Sequence, residues 1–430
     1  MKNIHDLHLQ DEILPLFDAV CNDFSRDTLW FLLSEVPDSI DEVRLRQDIL
    51  KGFIKSEGLS YSFSYGKSEF NEVHDYVLGL KDMLANFSGR SLRLYFILSR
   101  TERSRERGRI GQLFIFFDKI SRSYFTPLQT GAFPDVFADK LKNIHRIFSD
   151  LEVDKHRAIV RQKGLSITEM IKCMKLLGKK CENGEMDIFW RDFFLFEAYY
   201  SIAKGIKKHH FKFPEFSHAQ FDITEFYHPL LKNPVKNSLA VEKNVTLITG
   251  PNMSGKSTLL KSIGLCVYLA HLGLAVPAEK CILPFFDVIS IAINLNDDIR
   301  NGHSHFMTEI LTLKNVVVDA SNSRRCFAIF DELFRGTSVD DALVISTTTI
   351  AGLTKFRESY FFISTHLHQL KEAISENTDK VGTHYIDCSL DNERPVFTYK
   401  LLKGWSDLKI GQIIFENEGL NELLGARRRC

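Results

Sequence analysis

Residues 245–258 read VTLITGPNMSGKST, and the order of residue types in this stretch decides the fold. A β-branched run leads into two glycines with four residues between them, then a lysine, two hydroxyl side chains and an apolar segment. This is G-x-x-x-x-G-K-[ST] in the strand–loop–helix setting that gives the pattern a mechanism. Gly250 and Gly255 let the backbone curl so that successive N–H groups face an anion, and a helix starting there aims its positive end at the same point. In such a loop Lys256 reaches the β- and γ-phosphates, Ser257 ligates Mg²⁺ and Thr258 adds a hydroxyl contact. The expected ATP contacts are therefore Gly250, Pro251, Asn252, Met253, Ser254, Gly255, Lys256, Ser257 and Thr258.

Two further runs extend this reading. Residues 326–332, CFAIFDE, carry an apolar strand into two carboxylates. Asp331 suits Mg²⁺, directly or through water, and Glu332 suits the base that takes a proton from an attacking water. By itself an acidic pair after apolar residues marks an ordinary strand end; beside a phosphate loop it reads as catalytic. Residues 359–366, SYFFISTH, end in His366, whose imidazole is suited to bond a γ-phosphate or position the water. A lone histidine is otherwise structural or solvated. Short runs at 245–249, 326–330 and 359–364 alternate with helical stretches, which argues for an α/β domain over residues 221–430.

The preceding residues, 1–220, are expected to be mostly helical. Val73, Val77, Leu80, Leu84 and Phe87 recur at helical spacing, as do Phe137, Leu141, Ile144, Phe148 and Leu151. Phe189, Phe193, Phe196, Tyr200 and Ala203 give an aromatic stripe, and Ser166 with Glu169 and Ser39 with Glu42 are candidate capping boxes. Between residues 91 and 118 the pattern is ambiguous. SLRLYFIL at 91–98 alternates like a strand, QLFIFFD at 112–118 is a short apolar run, and the arginine-rich SRTERSRERGRIG between them reads as a solvated charged loop or a phosphate contact.

Bulk composition narrows the classes. At 430 residues two or three domains are expected. Lys plus Arg balance Asp plus Glu at 55 each, so nucleic-acid contact requires a local basic patch rather than a global field. Eight cysteines without a CxxC pair point to a reduced, cytoplasmic chain. The apolar stretch 262–276 is short for a bilayer span and contains His271, so it is read as a buried helix and no membrane partner is expected.

Taken in order, these blocks resemble the MutS family of DNA mismatch repair ATPases. ITGPNMSGKSTLL resembles the family's phosphate loop, with Asn252 near the γ-phosphate. NDDIRNGHSHFMTEI at 296–310 resembles its signature segment, DELFRGTSVDDAL at 331–343 its acidic block, and STH at 364–366 its switch histidine. His228-Pro229 matches the start of its ATPase domain, and TLWFLLSEVPDSIDEVRLRQDIL at 28–50 the start of its helical core. The resemblance implies an α/β P-loop ATPase domain of the ABC type, preceded by a mostly α-helical core/lever domain. It also implies ATP and Mg²⁺ as cofactors, DNA as a partner, and a homodimer in which Ser304 completes the other subunit's ATP site in trans.

The same comparison predicts departures. The chain reaches the helical core almost at once, so the mismatch-reading domain and its connector are expected to be absent. The aromatic that usually stacks on adenine is replaced around Pro234 and Val235, and His303 and His305 flank Ser304. Three functions compete: a DNA-linked ATPase whose ATP state closes a dimeric clamp, a nucleotide-holding regulatory module with little turnover, and an ATPase acting on branched DNA or RNA.

Overall fold

The computed structural model describes residues 2–56, 64–87, 89–162, 164–251, 253–293, 305–334, 336–374, 379–391, 394–406 and 411–424. The chain divides into two compact units, one of residues 14–35 and 44–208 and one of residues 1–13, 36–43 and 209–430.

The first unit is helical. Its principal helices include α1 (Asp23–Ser34), α2 (Lys67–Ala85), α3 (Gly89–Leu98), α4 (Arg100–Ile120), α5 (Asp135–Asp150), α6 (Ile167–Glu182) and α7 (Glu185–His209). Val73, Val77 and Leu80 of α2, Phe137, Leu141, Ile144 and Phe148 of α5, and Phe189, Phe193, Phe196 and Tyr200 of α7 are all buried, as their helical spacing predicts. Ser166 and Glu169 form the full reciprocal capping box at the start of α6. Ser39, in the 36–43 segment that belongs to the second unit, accepts from the Glu42 N–H at 3.3 Å. Within the helical core the Glu197 carboxyl is fully buried and accepts from Asn22 Nδ2 at 2.6 Å, Tyr65 Oη at 2.9 Å and Tyr124 Oη at 3.2 Å. Three donors offset part of the cost of burying that group.

The ambiguous stretch is helical throughout. Residues 91–98 lie in α3, where Leu92 and Phe96 are buried one turn apart while Leu94, Ile97 and Leu98 face solvent. A run this short satisfies period 2 and period 3.6 equally. The arginine-rich segment is no loop: it opens α4, capped by Ser99, and Arg103 Nη1 donates to the Phe96 carbonyl at the end of α3, 3.1 Å away. Arg109 pairs with Glu106 at 3.1 Å.

The second unit is α/β. Its large sheet orders seven strands as β1-β7-β8-β9-β5-β10-β11, comprising β1 (Lys2–Asn3), β5 (Val245–Thr249), β7 (Val288–Ala292), β8 (Cys326–Phe330), β9 (Tyr360–Thr365), β10 (Val381–Asp391) and β11 (Arg394–Lys403). All neighbours run parallel except β10 and β11. A smaller sheet orders β2 (Glu215–Phe216), β6 (Lys280–Leu283), β3 (Phe221–Phe226) and β4 (Asn237–Val241). Every residue of β5, β7, β8 and β9 is buried. This is why these strands read as near-continuous apolar runs rather than alternating ones.

Helix α8 (Lys256–His271) follows β5, α9 (His305–Ser321) precedes β8, and α10 (Val339–Leu353) leads to β9. Gly264 lets α8 lie close on the sheet: a Cβ there would come within 2.9 Å of Ile291 Cδ1 and 3.1 Å of Ile329 Cδ1. The apolar 262–276 stretch is buried as read, and among the described residues no helix is long and apolar enough to cross a membrane.

His271 ends α8 wholly buried, stacked on Phe285 and Phe286. Its Nε2 accepts from the Phe286 N–H at 2.8 Å, so Nδ1, 2.7 Å from the Val267 carbonyl, carries the proton. Burial holds this neutral ring's pKa down to about 4, against about 6.5 in the unfolded chain. The unfolded state therefore binds a proton that the folded state refuses. This contribution is complete above about pH 6.5 and is lost as pH falls toward 4. Urea titrations should show wild type losing about 2–3 kcal/mol more than His271→Gln between pH 7 and 4.5; equal losses would refute a buried neutral imidazole.

Candidate active site

Parallel register brings three chain segments to one edge of the large sheet. Thr249 of β5 lies opposite Thr365 of β9, and Phe330 of β8 lies opposite Ile363. The loop after β5, the acidic pair after β8 and the histidine after β9 therefore leave from the same carboxyl ends, where open α/β sheets bind ligands.

The loop after β5 takes conformations that its glycines permit. Gly250 has φ 146° and Gly255 φ 94°, and Met253 between them has φ 69°. Lys256 starts α8, and its side chain folds back into the loop. Nζ donates to the Gly250 carbonyl at 2.9 Å and the Pro251 carbonyl at 3.0 Å, and lies 4.0 Å from Glu332 Oε1. Burial lowers the ammonium's pKa, and the Glu332 and Asp331 carboxylates oppose that shift. The Ser254 hydroxyl is fully buried and has no hydrogen-bond partner among the described residues. A buried polar atom without a partner is costly, so a loop that curls a lysine and an orphan hydroxyl around one point fits an anionic ligand.

The acidic turn is held from several sides. The Asp331 N–H donates to the Ala292 carbonyl at 3.0 Å, continuing the β7–β8 ladder. Its carboxylate accepts from Ser257 Oγ at 2.5 Å and, through the other oxygen, from Ser364 Oγ. Burial raises the Asp331 pKa against these two hydroxyl donors. Glu332 and Phe334 both have left-handed backbones, at φ 50° and 67°, each costing of order 1–3 kcal/mol. Both are met by acceptors on neighbouring elements: the Glu332 N–H donates to Ser364 Oγ at 2.8 Å, and the Phe334 N–H to Glu309 Oε2 at 3.0 Å.

No cluster of three or more His, Cys, Asp or Glu side chains suited to a metal occurs among the described residues. A hydroxyl–carboxylate pair such as Ser257–Asp331 nevertheless fits a hard cation that shares its remaining sites with phosphate oxygens and water.

Beside the loop lies a cavity of about 350 Å³, whose walls include Tyr227, His228, Asn233, Val235, Thr258 and Tyr399. Asn237 fixes one wall: its Nδ2 donates to the Tyr399 carbonyl at 3.0 Å and its Oδ1 accepts from the Leu401 N–H at 2.8 Å. Tyr399 sits at φ 56° within β11, with its ring 3.2 Å from where a Gly255 Cβ would stand. A side chain at position 255 would collide with that ring as well as strain the backbone.

Comparison with known proteins agrees with this geometry. The family model for MutS domain V matches residues 246–423. DNA mismatch repair protein MutS of Bacillus subtilis (strain 168) is 32% identical over 223 residues, 50% of this chain and 26% of the relative. MutS of Geobacillus sp. (strain WCH70) is 32% identical over 220 residues, 49% of this chain and 25% of the relative. MutS of Lysinibacillus sphaericus (strain C3-41) is 31% identical over 238 residues, 53% and 28%. Residues 246–423 are thus similar to domain V of the MutS family. It spans about a quarter of the length of these curated relatives.

Within this MutS-like region, Lys256, Ser257, Asp331 and Glu332 come together at the sheet edge. Gly250 and Pro251 supply the carbonyls that hold the lysine, while Ser254, Gly255 and Thr258 line the cavity. Met253 is 76% exposed. His366 is exposed just past the end of β9. Asn252 and Ser304, with most of the 296–310 segment, lie outside the described residues. Val235 lies in the cavity wall where the family's adenine-stacking aromatic was expected to be replaced. Sequence reading missed Tyr399, Asn237 and the bonding role of Ser364. Asn237 and Tyr399 stand 162 positions apart and meet only through folding, and no local pattern marks them.

Proposed function

We propose that this chain binds and hydrolyses ATP with Mg²⁺, and that its ATP state governs closure of a homodimeric clamp on DNA. In this reading residues 1–220 form a core/lever domain and residues 221–430 an ATPase domain of the P-loop, ABC type. The observation that carries the proposal is the convergence of Lys256, Ser257, Asp331 and Glu332 at the carboxyl edge of β5 and β8. The similarity to proteins named DNA mismatch repair protein MutS supports the DNA partner.

Each residue then has a task. The non-proline residues from Gly250 to Thr258 wrap the phosphates with backbone N–H groups, and the Ser254 hydroxyl gains the partner it lacks. Lys256 exchanges its two carbonyl acceptors for β- and γ-phosphate oxygens, a charge-assisted and stronger bond. Ser257 and Asp331 hold Mg²⁺, which when bound neutralises phosphate charge. Glu332, held by its strained turn, takes the proton of the attacking water, and His366 orients that water or the γ-phosphate. The adjoining cavity takes the nucleoside, with Tyr399 and Tyr227 offering aromatic faces where Pro234 and Val235 offer none. Ser304 from the second subunit closes over the γ-phosphate, so the closed dimer forms only with triphosphate bound.

Lys256→Ala should weaken binding of a fluorescent ATP analogue at least about tenfold, because the loop loses its cationic side chain. Glu332→Gln should keep that affinity and lower turnover by a factor of about 10²–10⁴. Wild-type turnover in Glu332→Gln would remove Glu332 as the base.

Assembly is tested by mixing. Lys256→Ala and Ser304→Ala chains, each poorly active alone, should together recover about a quarter of wild-type turnover if subunits exchange at random, since half the dimers then contain one intact composite site. Absence of recovery despite demonstrated exchange would argue against a site shared between subunits.

A further inference from the structure

Ser364 lies in β9, two residues before His366, with no exposed surface. Its hydroxyl bonds both members of the acidic pair, accepting from the Glu332 N–H at 2.8 Å and bonding Asp331 Oδ1. Bonding rules fix the direction of this relay. A backbone N–H can only donate, so Ser364 Oγ accepts there and spends its single proton on Asp331. Asp331 thereby has one oxygen tied to β9 and leaves the other, Oδ2, for Ser257.

We infer that Ser364 is a positioning residue for the acidic pair, acting through both carboxylates at once. Through Asp331 it selects which oxygen faces the Ser257 hydroxyl and the Mg²⁺ that the two would share. Through the Glu332 N–H it holds the left-handed backbone that aims the proposed base. Neither role requires contact with nucleotide. This inference rests on the ATPase reading and adds to it a residue outside the phosphate loop, the acidic pair and the histidine.

The geometry separates its two effects. Loss of the hydroxyl frees the Asp331 carboxylate to rotate, which weakens Mg²⁺ retention, and releases Glu332, which lowers kcat. It leaves the phosphate loop and the base cavity untouched. Residues that orient a metal ligand from behind typically change metal affinity or activity by 10–100-fold when removed.

The test compares wild type with Ser364→Ala, and with Ser364→Thr, which keeps the hydroxyl. Three quantities are read: binding of a fluorescent ATP analogue in EDTA, the Mg²⁺ concentration that half-restores full affinity, and steady-state kcat with KM. Ser364→Ala should bind as wild type in EDTA, need about tenfold more Mg²⁺ and lose kcat about tenfold or more with KM little changed. Ser364→Thr should recover the Mg²⁺ dependence and kcat. In the ligand-free protein, amide exchange across 331–334 should quicken in Ser364→Ala alone. If Ser364→Ala fails to fold, Ser364→Cys carries the same comparison, since a thiol of similar size is only a weak donor. Wild-type Mg²⁺ dependence and kcat in the folded variant would overturn the inference. A wild-type chain that binds no nucleotide would instead overturn the ATPase reading, and the exchange measurement would still report whether Ser364 holds the turn.

Discussion

Parallel, in-register pairing of β5, β8 and β9 is the constraint on which the rest of the second unit depends. Because the strands run the same way, their carboxyl ends share one edge, and residues separated by about a hundred positions in sequence meet there. Because both faces of each strand are buried, a slip in register would place charged ends inside the core or pull apolar residues into solvent. The same packing that stabilises the sheet therefore sets where the lysine, the acids and the histidine stand. Gly264 contributes by letting α8 approach β7 and β8 closely, which brings the start of that helix to the sheet edge.

Charge at this edge is balanced before any ligand arrives. Lys256 is buried among two carbonyls and near two carboxylates, and Asp331 is buried between two hydroxyls. Each group has partners good enough to be tolerated in the folded chain. In the proposed reaction these partners are exchanged for phosphate oxygens and a hard cation, so the same side chains serve folding and chemistry in turn. The left-handed turn at Glu332 and Phe334 is a second instance, with strain at the acidic pair offset by acceptors from β9 and α9.

Much of this site was legible in the sequence because its chemistry is local. The phosphate loop occupies nine consecutive residues and the acids are adjacent, so spacing along the chain reports spacing in space. Ser364, Asn237 and Tyr399 were not legible in the same way. Their contacts, Ser364 with Asp331 or Asn237 with Tyr399, are made only after strands from distant segments pair. In the helical unit, stripes in α2, α5 and α7 showed in advance because each helix buries one face. The stretch over α3 and α4 did not, because a ten-residue helix that leaves Leu94, Ile97 and Leu98 exposed lacks a clean apolar face.

On the proposed function, bound ATP with Mg²⁺ engages all three strand ends at once. Hydrogen–deuterium exchange on the full chain, with and without a slowly hydrolysed ATP analogue and Mg²⁺, tests it most directly. Peptides covering 249–258, 331–334 and 364–367 should all gain protection together on binding, and in Lys256→Ala none of them should. Protection confined to 249–258, with the acidic turn and the end of β9 exchanging as in the ligand-free protein, would contradict a site assembled from three strands.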